Sequence, residues 1–252
     1  MALDEALLEA VGQGRSNPIL RLYGWAPPCL SLGYAQPIED VDRVRLQQRG
    51  WQLVRRPTGG RAILHTDELT YAVIAPVTEQ RVAGSVLESY RRLSQALLLA
   101  LRKLGLQPNA DQEYPQNGTG GPVCFETPSN YEITVAGKKL IGSAQARRRT
   151  GVLQHGSLPL YGDLTRITQG LKFSIEEERA KAADRLLRHA TTLETVLGYS
   201  IDWPQAAQAF ITGFEEALTI TFQSDEITAE ERMRTDELAR IQYNHEGWTA
   251  RI

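Results

Sequence analysis

Cysteine is scarce in this chain. Cys29 and Cys124 are its only two among 252 residues, too few for a disulfide framework, so reduced thiols are the simpler expectation. Long apolar runs are missing as well. No stretch approaches the roughly 18 uninterrupted apolar residues of a membrane span, and the first residues lack the basic and apolar regions of a secretion signal. A cytoplasmic protein with no membrane partner is expected. Charge of one sign is not in excess: 28 Lys and Arg face 30 Asp and Glu, a formal net charge of −2, which gives no reason to expect a nucleic-acid partner. Repeats of 20–50 residues and low-complexity linkers do not occur. The four histidines, His65, His155, His189 and His245, show no metal-ligand spacing. No metal and no cofactor are expected.

What is present suits a globular chain. Apolar residues make up 42% and charged residues 23%, and the length suffices to bury a sizeable core. Residues Met1–Val11 carry Leu3, Leu7, Leu8 and Val11 at helical spacing. Strand-like segments follow at Ile19–Gly24 and Cys29–Tyr34, separated by Pro27 and Pro28. A helix is predicted over Glu39–Arg49, with Gly50 as its C′ residue. Trp51–Arg55, Ala62–His65 and Glu68–Ala75 read as strands, and Ser85–Leu104 as a helix opened by the Ser85/Glu88 capping box. Asn109–Val123 is polar and glycine-rich and reads as a loop. Glu132–Val135, Lys139–Ala146 and Val152–Leu160 read as strands, with a hairpin turn at Gly137 and Lys138. Ser174/Glu177 and Thr228/Glu231 have capping-box spacing in a helical remainder. The expected class is therefore α+β, a mixed β-sheet core flanked by helices. We read residues 1–252 as a single catalytic domain, with a sheet-rich core over about 15–165 and a helical part over about 166–252.

The most unusual stretch runs from Arg55 to His65, Arg-Arg-Pro-Thr-Gly-Gly-Arg-Ala-Ile-Leu-His. Adjacent Gly59 and Gly60 let a backbone approach a ligand and expose its N–H groups. Arg55, Arg56 and Arg61 can meet phosphate or carboxylate; a tight turn with solvated arginines explains the same residues. The Gly-Lys-Ser/Thr ending of a phosphate-binding P-loop is absent. Cys124 follows the glycine-rich loop, where a thiol is either an inert core residue or a nucleophile. A free thiol is only a few per cent thiolate at neutral pH, and a neighbouring ammonium favours the thiolate. Lys139, on the predicted hairpin, can supply that charge or be an ordinary solvated lysine. Cys29, in an apolar run, reads as a core thiol. His65 and His155 stand at strands where they can line a pocket. Arg147, Arg148 and Arg149 form either a basic docking patch for an acidic partner or a solvated turn.

Three segments in this order resemble those of lipoate–protein ligases and the related octanoyltransferases: Arg55 to His65, Gly137-Lys138-Lys139-Leu140-Ile141-Gly142-Ser143-Ala144-Gln145, and Gln154-His155-Gly156-Ser157-Leu158. The resemblance implies a biotin/lipoate-ligase-like α+β fold, an acyl-binding tunnel beside the glycine loop, and a lysine at the acyl carbonyl that matches Lys139. Arg61 stands where ATP-dependent ligases have a third glycine. Glu68-Leu69-Thr70-Tyr71 and Cys124-Phe125-Glu126-Thr127-Pro128-Ser129 look like the cysteine-dependent octanoyltransferase branch. The separate C-terminal domain of many ligases has no counterpart in the sequence. Relatives of this family carry a short segment ahead of the helix that starts here at Met1, so a natural start further upstream, with another strand, is expected.

The implied reaction has two steps. The Cys124 thiolate takes an octanoyl group from acyl carrier protein as a thioester, and a lysine of an apo lipoyl-domain protein, such as glycine cleavage H protein or a dehydrogenase E2 subunit, then takes it as an amide. Lys139 activates Cys124 and polarises the carbonyl. Arg55, Thr58, Gly59, Gly60, Arg61, His65, Gly142, Ser143, Ala144, His155 and Gly156 are the expected substrate-binding residues. Three other functions fit parts of the pattern: an ATP-dependent lipoate ligase working through lipoyl-adenylate, a biotin ligase, and a noncatalytic carrier-binding module.

Overall fold

The structure is a computed structural model and describes residues 1–110 and 132–252. Helix α1 (Ala2–Gly12) is followed by strands β1 (Ile19–Tyr23) and β2 (Cys29–Leu32), helix α2 (Arg43–Gln48), and strands β3 (Gln52–Arg55), β4 (Ile63–His65) and β5 (Glu68–Pro76). The long helix α3 (Val86–Lys103) comes next, then β6 (Asn109–Ala110), β7 (Ile133–Val135), β8 (Lys138–Arg147) and β9 (Gly151–Pro159). The remainder is helical: α4 (Glu176–His189), α5 (Leu193–Leu197), α6 (Trp203–Leu218), α7 (Ala229–Leu238) and α8 (Glu246–Thr249).

Among the described residues the strands form two sheets. The larger is antiparallel, in the order β1-β5-β9-β8-β7-β6. In the smaller, β2 lies between parallel β3 and antiparallel β4. Each strand of the large sheet alternates between two environments, as the period of two requires. Leu69 and Tyr71 of β5 pack with Leu97 and Leu101 of α3 and with Phe210 and Phe214 of α6, in the main core. Ala72 and Ile74 pack instead with Leu7, Leu8 and Val11 of α1. The small sheet has its own core, where Leu30 and Leu32 meet Leu46, Ile167, Leu171 and Leu186. Helices α3 and α6 cross closely because Gly213 has no side chain: a Cβ there would stand 2.7 Å from the backbone nitrogen of Ala100.

The α+β class is the observed one, and most predicted elements fall within a residue or two of their place. The β7–β8 turn sits at Ala136 and Gly137, with φ of 50° and 75°, the pair of positive values a two-residue hairpin demands. That is one residue earlier than expected. Two helix expectations change. Glu39–Arg49 is not one helix: a 3-10 turn over Ile38–Asp40 stops at Val41, which bridges to Leu171, and Asp42 then caps α2 by accepting from the Arg45 N–H at 3.0 Å. Gly50 keeps its expected role, with φ of 67°. Ser174 and Glu177 form no capping box, since α4 starts one residue later behind Ile175, and the Ser174 N–H reaches the Glu178 carboxylate at 3.2 Å. The Thr228/Glu231 box is present. The segment 111–123 and the Cys124–Ser129 motif lie outside the described residues.

Candidate active site

The small sheet lies over one face of the large sheet, and a cavity of about 400 Å³ opens between them. Arg56, Gly59, Gly60, Arg61, Ile63 and His65 line it from the small sheet and its turn. Thr70, Gly142, Ser143, Ala144, His155, Gly156 and Ser157 line it from the large sheet, and Val86 and Tyr90 of α3 close one side. The structure thus gathers the three sequence segments around one space, although more than 70 residues separate Arg61 from Gly142. An open groove of about 550 Å³ shares Gly59, Gly60 and Arg61 with the cavity and is also lined by Arg147 and Arg148.

The glycine turn is held from behind. Its carbonyls are gathered by Arg56, whose guanidinium donates to Gly59 O at 2.9 Å and to Arg61 O at 2.7 Å. Gly60 has φ of 95°, a conformation that other residues rarely adopt. Gly33 sits against this turn so closely that a Cβ there would lie 1.8 Å from Gly60 O. Thr58, one residue ahead, is pinned to the large sheet by a 2.6 Å hydrogen bond between its hydroxyl and His155 Nε2. Gly156 is required for packing: a Cβ would strike Gly142 O, Ser143 Oγ and the Tyr71 ring, which would break the 2.6 Å Tyr71–Ser143 hydroxyl contact.

Arg55 is placed elsewhere than expected. It is fully buried and away from the cavity, donating to Thr249 O at 2.8 Å, Gly33 O at 2.9 Å and Gln36 O at 2.6 Å. A guanidinium so surrounded by carbonyls clamps the C-terminal segment against β2 and β3 and has no face left for a ligand. Its neighbour Arg56 points the other way and meets the turn, a role the sequence reading did not assign.

His65 and His155 both line the cavity, in different electrostatic settings. His65 Nδ1 lies 2.5 Å from Glu68 Oε1 and its Nε2 lies 2.8 Å from Ser31 Oγ, while Trp25 stacks on the ring with centroids 4.2 Å apart. His155 is held neutral. Burial pushes its pKa down to about 3, assisted by the nearby positive charge of Arg56 and opposed by Asp4. Its Nδ1 has no hydrogen-bond partner among the described residues. The linkage sign follows: the unfolded histidine, near pH 6.5, binds a proton that the folded one refuses down to about pH 3. His155 therefore contributes stability that is present above pH 6.5 and is lost as pH falls from there toward 3. Urea unfolding between pH 6.5 and 5 should show a positive slope of stability with pH, shallower in His155→Gln by up to about 1.4 kcal/mol per pH unit. Equal slopes would refute this assignment.

Lys139 is buried at the start of β8, its Nζ 2.6 Å from Glu132 Oε1. It is not among the residues lining the cavity; Gly142 and Ser143 of the same strand are. Cys124 lies outside the described residues. Cys29 is in the core, and burial raises its thiol pKa to about 12, which keeps it protonated at neutral pH.

Residues 1–215 match the family described as the lipoyl protein ligase A/B catalytic domain. The chain belongs to this family. Among the relatives of this lipoyl ligase family member, octanoyltransferase LipM of Kyrpidia tusciae is 41% identical over 257 residues, covering 100% of this chain and 93% of that one. Octanoyltransferase LipM of Carboxydothermus hydrogenoformans is 38% identical over 253 residues, covering 100% and 94%. Among solved structures, a bipartite lipoate protein ligase from Thermoplasma acidophilum superposes with a TM-score of 0.81 at 27% identity, over 99% of this chain and 89% of that one. The lipoate-ligase fold implied by the sequence is the observed one. Among the described residues, no helix is long and apolar enough to cross a membrane.

Proposed function

We propose that this protein is an acyltransferase that moves an octanoyl group from acyl carrier protein to a lysine of an apo lipoyl-domain protein. The observation that carries this reading is the end-to-end similarity to octanoyltransferases at 38–41% identity. The cavity beside the glycine turn supports it, since about 400 Å³ is room enough for a short acyl chain. In the first step the Cys124 thiolate attacks the donor thioester carbonyl, a new C–S bond forms, and the carrier thiolate leaves. In the second, the acceptor amine attacks the Cys124 thioester, the C–N bond forms, the C–S bond breaks, and the amine proton passes to solvent or to the released thiolate. Thioester aminolysis runs downhill, so ATP has no part. The Gly59–Gly60 turn and the Gly142–Ala144 segment supply backbone N–H groups near the carbonyl. Glycine cleavage H protein and dehydrogenase E2 subunits are the acceptors to try.

Incubation of the purified chain with octanoyl–acyl carrier protein and an apo lipoyl domain, with and without ATP, tests this. Intact mass spectrometry should show one octanoyl group on the acceptor in both cases. An absolute requirement for ATP and a free acid would reassign the protein as a ligase, the activity named for the Thermoplasma acidophilum structure.

The basic turn gives a separate test of the donor. Arg148 and Arg149 are exposed, whereas Arg147 is partly buried and bonded to Gln145 Oε1 and Val82 O at 2.9 Å. Docking is therefore tested with Arg148→Ser/Arg149→Ser, which leaves those bonds alone and gives up, within the fold, the 3.3 Å bond of Arg148 to Glu5 Oε1. We expect a several-fold rise in donor KM, little change in kcat, and a weaker dependence of kcat/KM on salt. Unchanged salt dependence would remove the turn from the docking surface.

A further inference from the structure

Behind the glycine turn runs a continuous hydrogen-bonded chain of buried polar groups. Its far end is Glu68, whose Oε1 accepts from His65 Nδ1 at 2.5 Å, from Thr70 Oγ1 at 2.5 Å and from Ser157 Oγ at 3.0 Å. With Nδ1 donating to the carboxylate, His65 Nε2 accepts, and the donor is the Ser31 hydroxyl at 2.8 Å. The Ser31 oxygen in turn accepts from Arg56 Nη1 at 3.2 Å, and Ser31 O accepts from the same nitrogen at 3.0 Å. Arg56 ends the chain on the turn, at Gly59 O and Arg61 O. Each link has one consistent donor and one consistent acceptor. The four side chains are 6% exposed or less, so a broken link is not replaced by bulk water.

The geometry of the last link has a chemical consequence. A trans peptide is planar, and its C=O and N–H point in opposite directions. Arg56 draws the Gly59 carbonyl toward itself, so the Gly60 N–H is directed away from the guanidinium. Gly60 lines the cavity. A glycine pair has little preference of its own for one peptide orientation, so the orientation must be imposed from outside.

We propose that Glu68 is a positioning residue that acts through His65, Ser31 and Arg56 to fix the Gly59–Gly60 peptide, presenting the Gly60 N–H to the acyl carbonyl as oxyanion charge develops. This rests on the acyl-transfer reading of the cavity. Glu68 is not among the residues that line the cavity. It holds the imidazole in one tautomer, the imidazole holds the Ser31 hydroxyl, and the hydroxyl orients the guanidinium that sets the turn.

The test compares wild type with Glu68→Gln, Ser31→Ala and the double variant. Octanoyl transfer gives kcat and donor KM, and amide hydrogen exchange reads residues 57–62. Each single variant should lose roughly tenfold to a hundredfold in kcat, in the range of a misdirected oxyanion donor, with donor KM within about twofold. Exchange over 57–62 should quicken in each. Because both substitutions break one chain, the double variant should be no slower than the worse single. Losses that multiply, a wild-type kcat, or unchanged exchange in the turn would overturn the proposal. Should Glu68→Gln fail to fold, Ser31→Ala, which removes a single hydroxyl, decides the matter alone. Should wild type not transfer octanoyl, the functional reading fails and turn exchange in the variants still decides whether Glu68 orders the glycines.

Discussion

Cys124→Ala should abolish both acyl loading and acyl transfer. Wild-type protein mixed with octanoyl donor alone should gain one octanoyl group, and hydroxylamine should remove it, because thioesters yield to that nucleophile and amides do not. The location of the label is sharply defined. The chain has two thiols, and Cys29 is paired into β2, 4% exposed, with its pKa raised by burial to about 12. Such a thiol is almost wholly protonated at neutral pH and out of reach of a donor. Cys29→Ala should therefore keep loading and transfer. Cys124→Ala should lose roughly a thousandfold or more in transfer, as when a covalent nucleophile is deleted from other enzymes. A folded Cys124→Ala protein that transfers octanoyl at the wild-type rate would end the thioester mechanism and make the ATP-dependent ligase the leading account.

The parts of this architecture that were legible in the sequence are those fixed by local spacing. Alternation along Glu132–Val135 marks a strand, observed at Ile133–Val135, because successive side chains face opposite sides of the sheet. The Ser85/Glu88 box marks the start of α3 because both of its hydrogen bonds are made within one turn. Ser174 and Glu177 have the same spacing and make no such box; Leu171 and Leu186, on either side of the entry to α4, are buried together in the small-sheet core, a contact that spacing does not encode. The two arginines of Arg55-Arg56 show the limit for site residues. Consecutive strand residues face opposite sides, so one was bound to leave the ligand side. Which one depends on the register of β3 against β2, where Ser31 pairs with Val54 and Leu32 with Arg55. The chain from Glu68 to Arg56 was hidden for the same reason. Glu68 and His65 are close in sequence, but Ser31 comes beside His65 only through the antiparallel register of β2 and β4.

The second large effect concerns Lys139, and the structure changes how it must be measured. Its ammonium lies 2.6 Å from the Glu132 carboxylate, and both side chains are about 95% buried or more. Lys139→Ala does two things at once. It removes the positive charge proposed to favour the Cys124 thiolate, and it leaves the Glu132 carboxylate buried without that ammonium, a change that costs about 3–5 kcal/mol in comparable buried pairs. A loss of activity in the single variant therefore confounds chemistry with stability. The double variant Lys139→Ala/Glu132→Gln separates them, because an amide needs no counter-charge. Lys139→Ala alone should be markedly less stable to urea and nearly inactive. The double variant should recover much of the stability and stay impaired in transfer, and the pH profile of Cys124 alkylation should shift upward, since no ammonium then favours the thiolate. Recovery of transfer together with stability would mean that Lys139 serves the fold and not the thiol. The carbonyl would then depend on the backbone N–H groups of the glycine turn and of Gly142–Ala144 for its polarisation.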